Sequence, residues 1–269
     1  MELAAAASAR LPDLAATHLG PAARTFLSLA SPSTRLRRGG PCGEADPVSR
    51  LGGRPLLRRG SPWPATADGV PLTFVAQVDT AEVGAGLPPG LLLSFFYEAE
   101  GQEAWGFRPD DHPYWRVLAT PVADASPAGE ASFRPHRLVP ERVTTIPDRW
   151  ETEVEDLPGA DGLYDALGHP GDYPRHRSGG WPDVVQNPMR LECQLASNGI
   201  YVGGPEGYRD PRVPSLSPGA AEWRLLLQLD TDEAAGWTWG DNGTLYYWIR
   251  APDLATAHFD HTWLILQCY

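Results

Sequence analysis

One pattern occurs twice in this chain, and it limits the folds open to it more than any other feature. An apolar run ends in Gln-x-Asp at residues 72–79 and again at residues 223–230, which lie 151 positions apart. In each copy a second apolar run begins after a glycine, at Gly90 and at Gly243. Two such runs joined by a loop predict a β-hairpin, and a half-buried hairpin is marginal until its apolar face packs on another. The sequence therefore predicts two similar hairpins that form the two halves of one fold.

We expect the 269 residues to form a single domain, which composition divides into five stretches. Residues 1–30 are rich in alanine and leucine and predict short N-terminal helices. Residues 31–70 are basic and rich in glycine and proline, which predicts a loop segment packed on the body through its leucines. Residues 71–118 hold the first half and residues 186–269 the second. Residues 119–185 are dominated by Pro, Gly, Asp and Glu and predict an irregular loop region.

Further strands are predicted outside the two hairpins. Short apolar runs indicate strands at residues 115–118, 189–195 and 200–202. The last run, residues 262–268, is apolar on both faces. A strand that is apolar on both faces is typical of a sheet interior, so we expect an interior strand at the carboxyl end.

The charge of the chain excludes several classes of function. The formal net charge is −12, which argues against a nucleic-acid binder because phosphate binding needs clustered cations. Residues 24–59 are nevertheless basic, with eight arginines and two carboxylates. We interpret them as a segment docked on the acidic body, and the alternative is an external anionic partner. Lysine is absent, which excludes Schiff-base catalysis and a phosphate-loop lysine.

The cysteines and the first residues bear on location. Cys42, Cys193 and Cys268 have no Cys-x-x-Cys spacing, and three thiols leave one unpaired, so reduced thiols in a cytoplasm fit best. The chain begins without a basic leader, and no run of about 18 apolar residues occurs. We therefore expect a cytoplasmic protein that is neither exported nor inserted into a membrane.

Several motifs occur in the order of a known family. They are residues 49–56 (SRLGGRPL), Trp63-Pro64, residues 72–79, Leu87-Pro88, residues 167–170 (LGHP), Gln186, residues 223–230 and residues 239–243 (WGDNG). With these motifs nearly the whole chain resembles the YwqG family, also called DUF1963. The resemblance implies a mainly β (α+β), roll-like fold of antiparallel sheets with an internal duplication. It implies no established activity and no catalytic residues.

Two further points follow from this resemblance. The resemblance also implies an association of some family members with bacterial toxin and immunity gene neighbourhoods, so an immunity-like role in a bacterium is one expectation. The chain departs from the family pattern at residues 168–186, where an insertion bearing arginine and histidine separates Gly-His-Pro from Gly180-Trp181-Pro182-Asp183. A site built in this insertion would be particular to this protein.

The two Gln-x-Asp motifs supply the first candidate site. Side chains alternate along a strand, so Gln77 and Asp79 share one face, as do Gln228 and Asp230. If a local twofold axis relates the halves, the two aspartates converge, and two carboxylates in one cleft can divide acid and base roles. The competing interpretation is structural: each glutamine binds an adjacent backbone edge, and each aspartate caps the turn after its strand.

Two tryptophans supply a second candidate. Trp237 and Trp239 alternate onto one side of the chain, beside Asp241. If they are exposed, the indoles form a stacking platform for a sugar or a base, and if they are buried they belong to the core. Asp241 is a further catalytic candidate, and His169 in the insertion is a candidate ligand-binding residue.

Metal binding finds less support. Asp230-Thr231-Asp232 resembles the start of a calcium loop, but Ala235 and Asp241 stand where glycine and glutamate are required. Two triplets offer zinc-type donors in no recognised frame: His169, Asp172 and His176, and His258, Asp260 and His261. We therefore expect no metal and no cofactor.

These observations lead to two hypotheses about function. The first is a cytoplasmic binding or interaction protein with a polar groove between the halves, lined by Asp79, Asp230, Trp239 and Asp241. Its partner is an unknown protein or small molecule, and neither nucleic acid nor membrane. The alternative is a carboxylate-based hydrolase or isomerase with Asp79 and Asp230 as the acid and base pair. The sequence leaves open whether the protein is an enzyme.

Overall fold

The computed structural model describes residues 1–84, 86–168, 171 and 174–269. Its strands are β1 (Ser31–Arg38), β2 (Arg50–Leu51), β3 (Leu56–Arg58), β4 (Thr73–Asp79), β5 (Leu91–Tyr97), β6 (Trp115–Pro121), β7 (Ala125–Pro127), β8 (His136–Thr145), β9 (Arg177–Ser178), β10 (Trp223–Asp230), β11 (Thr244–Arg250) and β12 (Trp263–Gln267). Its α-helices are α1 (Ala5–Leu19), α2 (Ala23–Ser28), α3 (Thr80–Val83), α4 (Ala160–Leu167), α5 (Arg190–Ala196), α6 (Val213–Leu216) and α7 (Ala251–Ala255).

Ten of the strands form one antiparallel sheet, in the order β12-β11-β10-β9-β1-β8-β2-β4-β5-β6. The sheet curls until its two ends nearly meet. The indoles of Trp115 in β6 and Trp263 in β12 pack edge to face with ring centroids 5.2 Å apart. The hydroxyl of Tyr247 in β11 donates a hydrogen bond to the carbonyl of Phe96 in β5 at 3.2 Å. The main apolar core lies inside this nearly closed roll.

The two predicted hairpins, β4–β5 and β10–β11, are built alike. In each hairpin the strand register shifts by one residue at a β-bulge, at Val75 in the first and at Leu226 in the second. Each bulge lies two residues before the glutamine of Gln-x-Asp. A third strand continues each hairpin, β6 in the first half and β12 in the second. The predicted mainly β, roll-like fold with a duplicated hairpin is therefore confirmed.

A strand of two residues borders each hairpin, and it reveals a second repeat. Arg50 of β2 lies opposite Gln77, and Arg177 of β9 lies opposite Gln228. The sequences around these strands, S-R-L-G-G-R-P and H-R-S-G-G-W-P, share the arginine, both glycines and the proline. Between the two halves, β1 pairs with β8, so β9 joins the centre to β10 and β2 joins it to β4.

The central pair of strands corrects two predictions. Residues 31–70 do not form a loop throughout, because residues 31–38 form β1, and residues 119–185 include the ten-residue strand β8. β1 was missed because its buried side chains are mostly polar. Ser33 donates hydrogen bonds to the carbonyls of Ser178 and Gly179 at 3.1 and 2.8 Å, so its hydroxyl is satisfied in the interior.

Three smaller predictions are also corrected. Residues 190–196 form helix α5 instead of a strand, and five of its seven residues are buried. Periodicity cannot distinguish so short a buried helix from a strand. Residues 200–202 are irregular. β12 is the last strand of the sheet instead of an interior one. It is nevertheless buried throughout, because the segment at Trp105 covers its free edge and accepts a hydrogen bond from Leu266 N at 3.1 Å.

The N-terminal helices form as predicted and pack with α4 in a second apolar cluster. Phe26 of α2 and Tyr164 of α4 meet edge to face there, with ring centroids 6.3 Å apart. Among the described residues, no helix has both the length and the apolar content needed to cross a membrane.

The glycines after β9 offer a test of this architecture. Gly180 has a φ of +70°, and a Cβ added there lies 2.4 Å from Thr145 Oγ1. We expect Gly180→Ala to lower the free energy of unfolding by about 2 to 3 kcal/mol, because the cost of a left-handed alanine and the cost of the steric clash add up. The control is Gly40→Ala, since a Cβ there has nothing within 4 Å. Urea unfolding curves that superpose for both variants would contradict the placement of β9 against β1.

Candidate functional site

Gln228 is a buried side chain that holds the segment around β9 in place. Its Oε1 accepts a hydrogen bond from Asp183 N at 3.0 Å, and its Nε2 donates to the carbonyl of Arg175 at 2.8 Å. These partners lie six residues after and two residues before Arg177. We call this arrangement, a buried glutamine bound to the backbone on both sides of a two-residue strand, a glutamine clamp.

Gln77 forms the same clamp in the first half. Its Oε1 accepts from Leu56 N at 2.9 Å and its Nε2 donates to the carbonyl of Val48 at 3.0 Å. Leu56 and Val48 lie six residues after and two residues before Arg50, as in the second half. Both glutamines therefore bind an adjacent backbone edge, and their predicted role in ligand binding stays a prediction.

The two candidate aspartates hold different parts of the backbone. Asp79 accepts a hydrogen bond from Ala81 N at 2.9 Å and so caps α3, and burial raises the pKa of its carboxyl. Asp230 accepts from Arg175 N through Oδ2 and from the hydroxyl of Thr244 through Oδ1, both at 2.9 Å. The two carboxylates share no hydrogen-bond partner among these contacts. Their role as an acid and base pair stays a prediction.

Trp237 and Trp239 are stacked in the core, with ring centroids 5.5 Å apart and exposed fractions of 4% and 0%. The indole of Trp237 donates to the carbonyl of Asp230 at 3.1 Å. Asp241 is exposed, and its carbonyl accepts from Tyr269 N at 3.1 Å. The burial of both indoles agrees with the core interpretation, and their contact with a ligand stays a prediction.

His169 and Asp172, the other residues proposed from the insertion, lie outside the described residues. His176 is described and fully buried. Its Nδ1 accepts a hydrogen bond from Asp230 N at 3.1 Å, and its Nε2 lies 3.5 Å from Oδ2 of Asp232. Both ring nitrogens thus have protein partners, which is typical of a structural histidine.

The buried arginines of the two halves have different hydrogen-bond partners. Arg177 forms ion pairs with Asp183 and, at 3.5 Å, with Glu2. Burial alone would raise the pKa of Asp183, but the charges of Arg177, the N-terminal amine and Arg175 outweigh it and hold that pKa at about 2. Arg50 instead donates to backbone carbonyls, including that of Glu44 at 3.0 Å. Of these two buried arginines, only Arg177 in the second half forms an ion pair with a carboxylate.

A cavity of about 850 Å³ opens beside the turn that follows β9. Its apolar wall includes three indoles, those of Trp181, Trp223 and Trp248. Its polar lining includes Gly179 and Gly180 and the charged residues Arg142, Arg190, Arg224 and Glu153. Of the predicted catalytic and ligand-binding residues that the structure describes, none lines it. The sequence signal that could have found it is the second Arg-x-Gly-Gly-x-Pro motif.

The three arginines of the cavity differ in their partners. Arg190 is paired with Glu151 at 2.8 Å and with Glu153 at 2.5 Å. Arg142 donates to the hydroxyl of Thr34 at 2.7 Å and to the carbonyl of Val83.

Arg224 donates to the carbonyls of Ala221 and Trp223 at 2.6 and 3.0 Å. In the described part of the chain no carboxylate forms an ion pair with Arg142 or Arg224. The lining therefore carries an excess of positive charge.

The fold and the two clamps define a class of protein: an antiparallel β roll made of two related halves. The chain belongs to the DUF1963 family, since the family model described as "Domain of unknown function (DUF1963)" matches residues 49–268. The match begins one residue before the first Arg-x-Gly-Gly-x-Pro motif and includes both clamp glutamines. No curated protein matches the chain.

Helix α5, which carries Arg190 to the cavity, also carries a buried carboxyl. Glu192 is 5% exposed, and its Oε1 accepts a hydrogen bond from the hydroxyl of Tyr208 at 3.4 Å. Its Oε2 has no hydrogen-bond partner among the described residues. Burial raises the pKa of Glu192 to about 8.

The raised pKa of Glu192 should make the stability of the protein depend on pH. The folded carboxyl keeps its proton up to a pH of about 8, whereas an unfolded glutamate loses it near its ordinary pKa of about 4.3. Between these values the folded state binds more protons, so stability falls as pH rises. Between about pH 5 and pH 8 the free energy of unfolding of the native protein should therefore fall relative to that of Glu192→Gln, by on the order of 3 kcal/mol.

Denaturant unfolding at several pH values measures this difference. Glu206→Gln, which changes an exposed glutamate, is the control and should follow the native protein. Parallel pH profiles for the native protein and Glu192→Gln would contradict the burial of this carboxyl.

Proposed function

We propose that this protein is a binding protein that holds a small organic anion in the cavity beside the turn after β9. The observation that carries the proposal is the pair of guanidinium groups of Arg142 and Arg224. Both residues line the cavity, and the hydrogen bonds described above join their guanidinium groups only to neutral oxygens. A guanidinium presents paired donors that match a carboxylate or a phosphate.

The walls of the cavity supply the apolar part of such a site. Small-molecule sites have volumes of about 300 to 1,000 Å³ and combine apolar walls with a few polar groups that fix orientation. The volume of about 850 Å³ and the three indoles agree with this description. In the proposed complex the acid group of the ligand lies at the two arginines and its apolar body lies against the indoles.

We extend the proposal to a cytoplasmic setting in a bacterium. The support is the three free cysteines, which suit a reducing compartment, and the resemblance to a bacterial family. An immunity-like role with a protein partner stays a prediction, as does a hydrolase or isomerase that uses Asp79 and Asp230. No contact described above favours either of them.

Calorimetric titration with three probes, benzoate, phenylacetate and phenyl phosphate, tests the proposal. We expect the native protein to bind at least one of them with a Kd in the millimolar range or tighter. Arg224→Gln should weaken binding at least about tenfold, because a hydrogen bond to a charged group contributes about 1.5 to 3 kcal/mol. The side chain of Arg224 is exposed, so its loss leaves the fold intact.

Two further variants locate the site. Ala221→Trp fills the cavity from an exposed position and should abolish binding. Arg59→Gln removes an exposed arginine that is not in the cavity lining and should leave the affinity unchanged. Failure of all three probes to bind, or equal affinity for the native protein and Ala221→Trp, would contradict the proposed site.

A further inference from the structure

Three zinc-type ligands meet near the carboxyl end of the chain. A carboxylate oxygen of Asp253 and one ring nitrogen each of His258 and His261 all lie within 4.8 Å of one another. Nδ1 of His261 is 2.8 Å from Oδ1 of Asp253, and the two imidazole rings have centroids 5.6 Å apart. We infer that these side chains form a binding site for a divalent transition metal, with Zn²⁺ as the best-matched ion.

The backbone builds this cluster from residues that are not adjacent in sequence. Asp253 lies in α7, and the amide of His258 donates back to its carbonyl at 2.8 Å. The reversal is made at Ala257, whose φ is +57°. A left-handed conformation costs a non-glycine residue about 1 to 2 kcal/mol, and such strain concentrates at functional sites. Phe259 is 2% exposed and anchors the turn that presents His261.

A neighbouring hydroxyl orients His258 for coordination. Thr256 Oγ1 donates its hydrogen to the carbonyl of Pro252 at 2.9 Å, and Nδ1 of His258 lies 3.1 Å from the same oxygen. When the hydroxyl donates to this carbonyl, its oxygen can accept from Nδ1–H in the tautomer that leaves Nε2 without a proton. The Nε2 lone pair of His258 is then available to a metal. Metal-binding histidines commonly use one nitrogen for such a supporting hydrogen bond.

The contact between Asp253 and His261 has the dimensions of two neighbouring ligands. With bonds of about 2.0 to 2.1 Å, two ligand atoms of a tetrahedral zinc site are about 3.3 Å apart. The observed 2.8 Å between Oδ1 and Nδ1 needs only a small opening to reach this value. Metal binding thus replaces the proton that the two atoms share.

The donor set selects among metal ions. Two imidazoles and a single carboxylate suit Zn²⁺, whereas Ca²⁺ and Mg²⁺ require mostly oxygen ligands. Three protein ligands leave one tetrahedral position for water. Both histidines are exposed, so an ion can enter from solvent. The site does not depend on the proposed anion, although α7 also carries Ala251 and Leu254 to the cavity wall.

Asp260 provides a matched control for the ligand assignment. It follows His258 closely in sequence, and its Oδ2 lies 3.7 Å from Nε2 of His261, beyond hydrogen-bond distance. Its side chain is 73% exposed. Asp260 is therefore a carboxylate beside the cluster that the structure does not place among the ligands.

Calorimetric titration of chelator-treated full-length protein with ZnCl₂ tests the site. We expect one equivalent to bind with a Kd of about 10 μM or tighter, and Asp253→Asn, His258→Asn and His261→Asn each to weaken binding at least about tenfold. Asp260→Asn should retain the native affinity. Cys42→Ser, which removes a half-buried thiol, should also retain it.

A second measurement reports on geometry. Co²⁺ in place of Zn²⁺ should give the visible absorption of a tetrahedral ion in the native protein and in Asp260→Asn, and lose it in Asp253→Asn. Circular dichroism of each variant should match the native protein, since the histidines are exposed. The inference is overturned if Zn²⁺ does not bind below about 100 μM. It is also overturned if Asp260→Asn or Cys42→Ser loses the ion while Asp253→Asn keeps it.

Discussion

The glutamine clamp is the interaction on which the continuity of the sheet depends. The central strands β1 and β8 are connected to the outer hairpins through β9 and β2, and each of these connecting strands has two residues. A pairing of two residues contributes few backbone hydrogen bonds, so it needs other contacts to persist. Gln228 and Gln77 provide them, because each amide binds the backbone on both sides of the connecting strand.

The two halves share the clamp and differ in what surrounds it. In the first half the turn after β2 is packed by the chain at Phe133, whose Cβ lies 2.8 Å from a Cβ added at Gly52. In the second half the corresponding turn borders the cavity, and the position of Leu56 is occupied by Asp183, the partner of the buried Arg177. The duplicated fold thus carries a charged cluster and a cavity in its second half.

Some of this structure could be predicted from sequence because its signal is local. The hairpins follow from the paired apolar runs, the first of which ends in Gln-x-Asp, and the bulge lies two residues before the glutamine in both copies. The strand β1 could not be predicted in this way, because Ser33 and Thr34 are buried polar residues that bind backbone carbonyls. Helix α5 was missed because short buried runs give no usable period.

The cavity and the metal-binding cluster were predicted less well, because turns of the backbone bring their residues together. The Arg-x-Gly-Gly-x-Pro motif is visible twice in the sequence, but its second copy lies in the segment that departs from the family pattern. Asp253 was not grouped with the histidines, since only the left-handed turn at Ala257 brings it to His258 and His261. Adjacency in sequence favoured Asp260 instead.

The glutamine clamp is tested most directly by equilibrium unfolding of Gln77→Leu and Gln228→Leu. Each change nearly keeps the side-chain volume, removes both hydrogen bonds of the clamp and takes away the acceptor of one buried backbone amide, that of Leu56 or of Asp183. The account predicts a loss of about 2 to 4 kcal/mol in each variant, because an unsatisfied buried polar group costs about 1 to 3 kcal/mol. Asn187→Leu, at an exposed position whose side chain forms no hydrogen bond within the described part of the chain, should change stability little. A loss below about 0.5 kcal/mol in both clamp variants would contradict the claim that the clamps hold the sheet together.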